Sequence, residues 1–128
     1  MSAKRIEVDL THSQISVFQG GEVVHRMTEF SIGREHHRTP LIRHGSLSLT
    51  KRFRSHKSSI YHAQMPYSLF FEHHPSCAFH SGDVNTASHG CVHLKLEDAQ
   101  WLYTWAGHDA VGLSFIGSYP HSPIRKGH

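Results

Sequence analysis

Short stretches in which polar and apolar side chains alternate one by one recur along most of this chain, and a single stretch carries helical spacing instead. Alternation of period two marks a half-buried strand, since successive side chains point to opposite faces of a sheet. Arg5-Ile6-Glu7-Val8-Asp9-Leu10 alternates strictly, Thr11 to Gln14 is a polar turn, and Ile15-Ser16-Val17-Phe18 resumes the pattern. Gln19-Gly20-Gly21-Glu22 reads as a hairpin turn, because paired glycines supply the positive φ angles that tight turns need. Val23 to Phe30 returns as a third strand, closed by Ser31-Ile32-Gly33. Further strands are expected at Ser46–Thr50, at Tyr67–Phe71 and Cys77–Phe79 around a turn at His73–Ser76, and at Val111–Ile116. Arg34–Arg43, interrupted by Pro40, and Lys51–Ser59 read as basic loops, the second a solvated loop with a possible role toward substrate.

The helical stretch is Leu96 to Ala106. Ala99, Leu102, Tyr103 and Ala106 share one face and should pack on a sheet. Glu97 and Asp98 stand in the first turn, where negative charge suits the helix dipole, and Gly107 stands where a C-terminal cap is expected. Trp101 and Trp105 form a second aromatic row, expected as partial core or as a groove wall. The organisation read from this pattern is one domain over residues 1–117 and a mobile tail over residues 118–128.

At 128 residues the chain suits a single domain with its own core, and no apolar run approaches the roughly 18 residues of a membrane span. Met1 to Arg5 leads straight into a strand pattern, so no signal peptide is read in this chain. Two cysteines do not make a disulfide framework, and Cys77 reads as a small buried hydrophobe. A net charge of +3, before counting fifteen histidines, fits an anionic polymer such as nucleic acid or a cell wall. No nucleic-acid recognition motif accompanies it, and nucleic acid is not expected as a partner. The sequence sets no oligomeric state.

The chemistry concentrates between Phe79 and Leu94. Cys91 follows Gly90 directly in a loop of small polar residues, His80 lies eleven positions upstream, and His89 and His93 flank the cysteine. A thiol attacks carbonyls as thiolate, and a histidine within reach can take its proton and later return it to a leaving amine. Glycine beside the nucleophile lets the backbone approach the substrate, so that N–H groups can meet a developing oxyanion. His89 competes with His80 for the base role, but neighbouring side chains in an extended segment face opposite ways. A zinc site drawn from His80, His89, Cys91 and His93 is the rival chemistry. The reading adopted is a cysteine acyl-transfer site, with no metal and no cofactor.

Taken in order, the motifs resemble the L,D-transpeptidase catalytic domain, also called YkuD. The opening hairpin, Phe30-Ser31-Ile32-Gly33 with Thr39-Pro40, Met65 to Phe71, Ala78-Phe79-His80-Ser81 and Ser88-His89-Gly90-Cys91-Val92-His93-Leu94 carry the likeness over about residues 5 to 117. The resemblance implies a mainly β, sandwich-like fold with one packed α-helix. It implies an exported enzyme, periplasmic or associated with the cell wall, that cleaves the L,D bond before the terminal D-alanine of peptidoglycan stem peptides. Cys91 would be the nucleophile, His80 its general base, and Ser81 would orient His80 through its backbone carbonyl. The N–H groups of His89, Gly90 and Cys91 would form the oxyanion hole, while Met65, Tyr67, Ser88 and His93 would contact substrate.

Three features depart from the family pattern. The loop between His80 and Cys91 is short by about five residues, His93 stands where Arg or Asn is common, and the glycine after Thr39-Pro40 comes late, at Gly45. Alternative functions on the same fold are an L,D-carboxypeptidase or a secreted antibacterial effector that hydrolyses stems. From another class, the alternative is a non-catalytic wall- or metal-binding module.

Overall fold

The computed structural model describes residues 3–58 and 63–127. It contains β1 (Lys4–Asp9), β2 (Gln14–Gln19), β3 (Glu22–Met27), β4 (Glu29–Ser31), β5 (Gly45–Phe53), β6 (Ser68–Phe71), β7 (His74–Ser81), β8 (Val92–Leu94), α1 (Leu96–Ala106), β9 (Val111–Ile116) and β10 (Ile124–Lys126). The strands form one hydrogen-bonded sheet in the order β10-β4-β8-β7-β6-β5-β9-β1-β2-β3.

The strict alternation of the first segment does what its period requires. Ile6 and Val8 are fully buried, and β1 pairs antiparallel with β2 and parallel with β9. A ten-stranded sheet cannot stay flat, because strand twist accumulates across it. Here it turns at β5, whose first residues pair with β9 and whose later ones pair with β6. The register shifts between Leu47 and Arg52, where Ser48 Oγ accepts the N–H of Thr50 and of Lys51. The bulge bends the strand and folds the sheet over on itself. One core results, with Ile6, Val17 and Phe115 from one half against Phe30, Phe71, Phe79 and Leu94 from the other. The rings of Phe71 and Phe115 meet across it, 6.0 Å apart.

Helix α1 spans the predicted residues. Ala99, Leu102 and Ala106 enter the core, and Tyr103 is half-buried at its margin. Gly107 ends the helix and donates its N–H to the Tyr103 carbonyl. The tryptophan row lies against the β2–β3 half: Trp101 stacks on His25 at 4.1 Å, and Trp105 Nε1 donates to Gln19 Oε1. Asp98 is bonded to His25 Nε2 at 3.0 Å. The helix thereby joins β3 to the core beneath β6 and β7.

Four sequence expectations change in detail. The single strand expected over Val23–Phe30 divides at Thr28, since β3 borders β2 while β4 crosses to pair with β8 and β10. Strand β5 extends through Phe53 and takes in the start of the second basic loop, whose last residue, Ser59, lies outside the described residues. Strand β7 starts at His74 rather than Cys77. Within the stretch read as a mobile tail, β10 pairs with β4, and Arg125 Nη2 donates to the Leu10 carbonyl; His128 lies outside the described residues. Among the described residues no helix is long and apolar enough to cross a membrane.

Leu102 is fully buried at the meeting of helix and sheet. Leu102→Ala is expected to lower unfolding free energy by about 3 kcal/mol, read as a lower denaturant midpoint at unchanged slope.

Candidate active site

Strands β7 and β8 lie side by side and parallel, with Phe79 opposite Val92, His80 opposite His93 and Ser81 opposite Leu94. Alternation sends Phe79, Val92 and Leu94 into the core, where each is fully buried. The same alternation puts His80 and His93 on the other face, and their rings meet edge to face with centroids 4.9 Å apart. Two residues back along each chain, Ala78 and Cys91 share that face. Cys91 packs there against Met65, Phe70 and Ala78. His80 and Cys91 are therefore one diagonal step apart and line the same cavity of about 360 Å³.

His80 is 5% exposed, and its Nδ1 lies 2.7 Å from the Ser81 carbonyl. A carbonyl only accepts, so Nδ1 carries the proton and Nε2 keeps its lone pair. Ser81 is itself held by its N–H donating to the Pro66 carbonyl. Burial pulls the His80 imidazole down to about 4; the Ser81 bond opposes this, and nearby His93 and His56 add to it. Burial likewise pushes the Cys91 thiol up to about 11, against the pull of the Ala78 N–H, with the Cys77 thiol adding a smaller push. Burial thus favours the neutral form of each group, the thiol and the unprotonated imidazole.

The loop before Cys91 is tied together by Ser88. Its hydroxyl, 2% exposed as a residue, donates to the Cys91 carbonyl and accepts the Gly90 N–H at 3.1 Å. Its backbone bonds to Ile32 and Arg34, which anchors the loop beside β4. Ser88 borders the cavity, but its hydroxyl is committed to the loop. Gly90 has φ +127, a conformation L side chains rarely adopt, so only glycine turns the chain here without strain.

His93 donates from Nδ1 to the Asp83 carbonyl at 3.0 Å. A Cβ on Gly82 would stand 2.9 Å from the His93 ring, so the glycine makes room for it. His89 is exposed, edge-on to His37 at 5.3 Å, and burial together with Arg34, His37 and His93 lowers its pKa. Met65 is buried on the cavity wall. Tyr67 is not brought to the cavity: it packs edge-on to Tyr103 at the core margin. Lys51, His56, Phe70 and Ser76 are also part of the lining; the sequence places Lys51 and His56 only within a basic loop and Phe70 only within the Met65–Phe71 segment, without naming any of the four as a site residue. Among the described residues, no group of three or more His, Cys, Asp or Glu is arranged to hold a metal ion.

Residues 3–113 match the L,D-transpeptidase catalytic domain, YkuD. The chain belongs to that family. An L,D-transpeptidase from Stackebrandtia nassauensis superposes with TM-score 0.79 at 24% identity, over 94% of this chain and 58% of that one. One from Mycobacterium smegmatis does so with TM-score 0.73 at 17% identity, over 91% and 59%. L,D-transpeptidase 3 from Mycobacterium tuberculosis, in complex with a faropenem-derived adduct, gives 0.65 at 22% identity, over 88% and 60%. This L,D-transpeptidase domain thus spans about three fifths of those chains, and the likeness at these identities is one of fold. No curated protein matches the chain.

The burial of Cys91 has a direct consequence for its reactivity. Alkylation of Cys91 by iodoacetamide should rise about tenfold per pH step from 7 to 10, without a plateau between 5 and 8. Peptide mapping separates it from Cys77. A plateau in the neutral range would mean a stable ion pair with His80.

Proposed function

We propose that this domain is a peptidoglycan L,D-transpeptidase that carries its acyl group as a thioester on Cys91. The observation that supports this reading best is the His80 tautomer: Nδ1–H is pinned by the Ser81 carbonyl, so Nε2 is the basic nitrogen on the face shared with the thiol. The stem peptide would enter with its scissile carbonyl over Cys91. As the sulfur attacks, Nε2 takes the thiol proton, so charge separation arises only when the tetrahedral oxyanion forms. The Gly90 N–H is engaged by Ser88, so the oxyanion hole expected from three N–H groups is narrowed, with the Cys91 N–H first among its donors. Collapse breaks the L,D amide bond, and the proton on His80 passes to the departing amine of D-alanine. An incoming amine then gives its proton to Nε2 and attacks the thioester, which regenerates the thiol. Water in the amine's place gives carboxypeptidase activity. A substrate of this kind places the protein outside the cytoplasm, at the cell wall.

His80 at a low pKa suits this sequence. It remains neutral and able to accept a proton down to about pH 4, so activity should not decline near pH 6.5 as it would with an ordinary histidine base.

Incubation with a tetrapeptide stem or a carbapenem should add the acyl mass to the intact protein. Cys91→Ala should abolish the adduct, and His80→Gln should slow its formation by about 10²–10⁴-fold. A wild-type protein that never acquires an adduct overturns the reading. Product analysis with and without an added D-amino acid separates exchange from hydrolysis.

A further inference from the structure

The catalytic cavity has one wall that the acyl-transfer steps do not use. Lys51, near the end of β5, and His56, in the loop that follows, both reach it from the same side. Phe70 is their common support. The Lys51 ammonium sits 4.6 Å over its ring, while His56 packs edge-on to it at 5.3 Å and stacks on Phe53 at 5.1 Å. Phe70 is itself 4% exposed and packed beside Met65 and Ala78, so neither side chain swings freely in solvent. One Lys51 donor goes to the Pro75 carbonyl at 2.9 Å. An ammonium has three donors, and among the described residues Lys51 enters no ion pair.

The rest of the lining offers no opposing charge. Its other polar side chains are Ser58, Ser76, Ser88 and the imidazoles of His80, His89 and His93, and no Asp or Glu is among the described residues that line the cavity. The segment 59–62, which follows the His56 loop, reads Ser-Ile-Tyr-His and contains no acid. Asp83 is near His93, but its carboxylate accepts from the Asn85 N–H and the Thr86 hydroxyl. A partly desolvated cation with unused donors, in a cavity without a carboxylate, is complementary to an anion brought by the ligand.

We propose that Lys51 and His56 form a carboxylate subsite through which the domain selects its acyl donor. Lys51 supplies the charge and His56 a directed N–H. The inference rests on the acyl-transfer reading of Cys91 and adds to it a specificity that the nucleophile does not provide. A stem peptide offers two carboxylates near the scissile bond: one on the side chain of the residue to be acylated, the other at the C-terminus of the departing D-residue. Both carry the same chemistry.

The test compares three tetrapeptide donors at pH 7, followed as acyl-enzyme by intact mass. One carries both carboxylates free, one has the side-chain carboxylate as its amide, and one has the C-terminal carboxylate as its amide. The free donor should acylate at least tenfold faster than one of the two amides at limiting concentration, and the amide that loses identifies which carboxylate is bound. Lys51→Gln and His56→Gln should erase that preference mainly through KM, and Lys51→Arg should retain it. Equal rates for all three donors in the wild type would overturn the proposal, and this comparison does not depend on any variant folding. A preference that survives in the Lys51→Gln, His56→Gln double variant would also overturn it. If no donor forms an adduct, the acyl-transfer reading fails first, and the subsite falls with it.

Discussion

The parallel pairing of β7 with β8 is the constraint on which the site depends. Three pairs of residues set it, and the alternation of each strand does the rest: Phe79, Val92 and Leu94 go inward, His80 and His93 outward. A slip of one residue would drive an imidazole into the core and expose an apolar side chain in its place. Burial of three large apolar groups therefore holds the register, and the register brings the thiol and the imidazole to one cavity. The core energy that folds the sheet is also what aligns this thiol and imidazole.

Burial has a second effect on the same residues. The low-dielectric setting that fixes His80 and Cys91 also disfavours their charged forms, in opposite directions on the pH scale. An exposed pair would hold more thiolate at rest but would be less well positioned. On the proposed reading, the arrangement would keep Cys91 a thiol until a carbonyl is in place, with proton transfer accompanying attack. Ser81, acting through its carbonyl, sets which imidazole nitrogen carries the proton.

Much of this was legible in the sequence. The strict alternation of Arg5–Leu10 and the spacing of Ala99, Leu102 and Ala106 gave strand and helix correctly, because local period and burial agree there. That Cys91 and His80 share a cavity, and that the Ser81 carbonyl holds His80, was legible through chemistry and family likeness. The division of Val23–Phe30 into β3 and β4 was not, since it is decided by partners β8 and β10 far along the chain. Tyr67 faces Tyr103 rather than the cavity because it has φ 54, a left-handed backbone that no alternation rule anticipates. Ser88 reads in sequence as a polar contact for substrate, yet its hydroxyl closes bonds to Gly90 and Cys91 that only the folded loop reveals. Lys51 and His56 were hidden within a basic run, where composition suggests solvent and only the third dimension supplies Phe70.

Adjacent parallel strands must be joined by a connection that runs back along the sheet, and such crossovers generally need about ten residues or more. Between β7 and β8 there are ten, Gly82 to Cys91. That span has almost no slack. It is also stapled partway by the buried Ser31 hydroxyl, which donates to the Thr86 carbonyl at 2.8 Å. Cys91 thus sits at the end of a tether close to its minimum length, so the reach of this short span helps to fix where along β8 the sulfur stands.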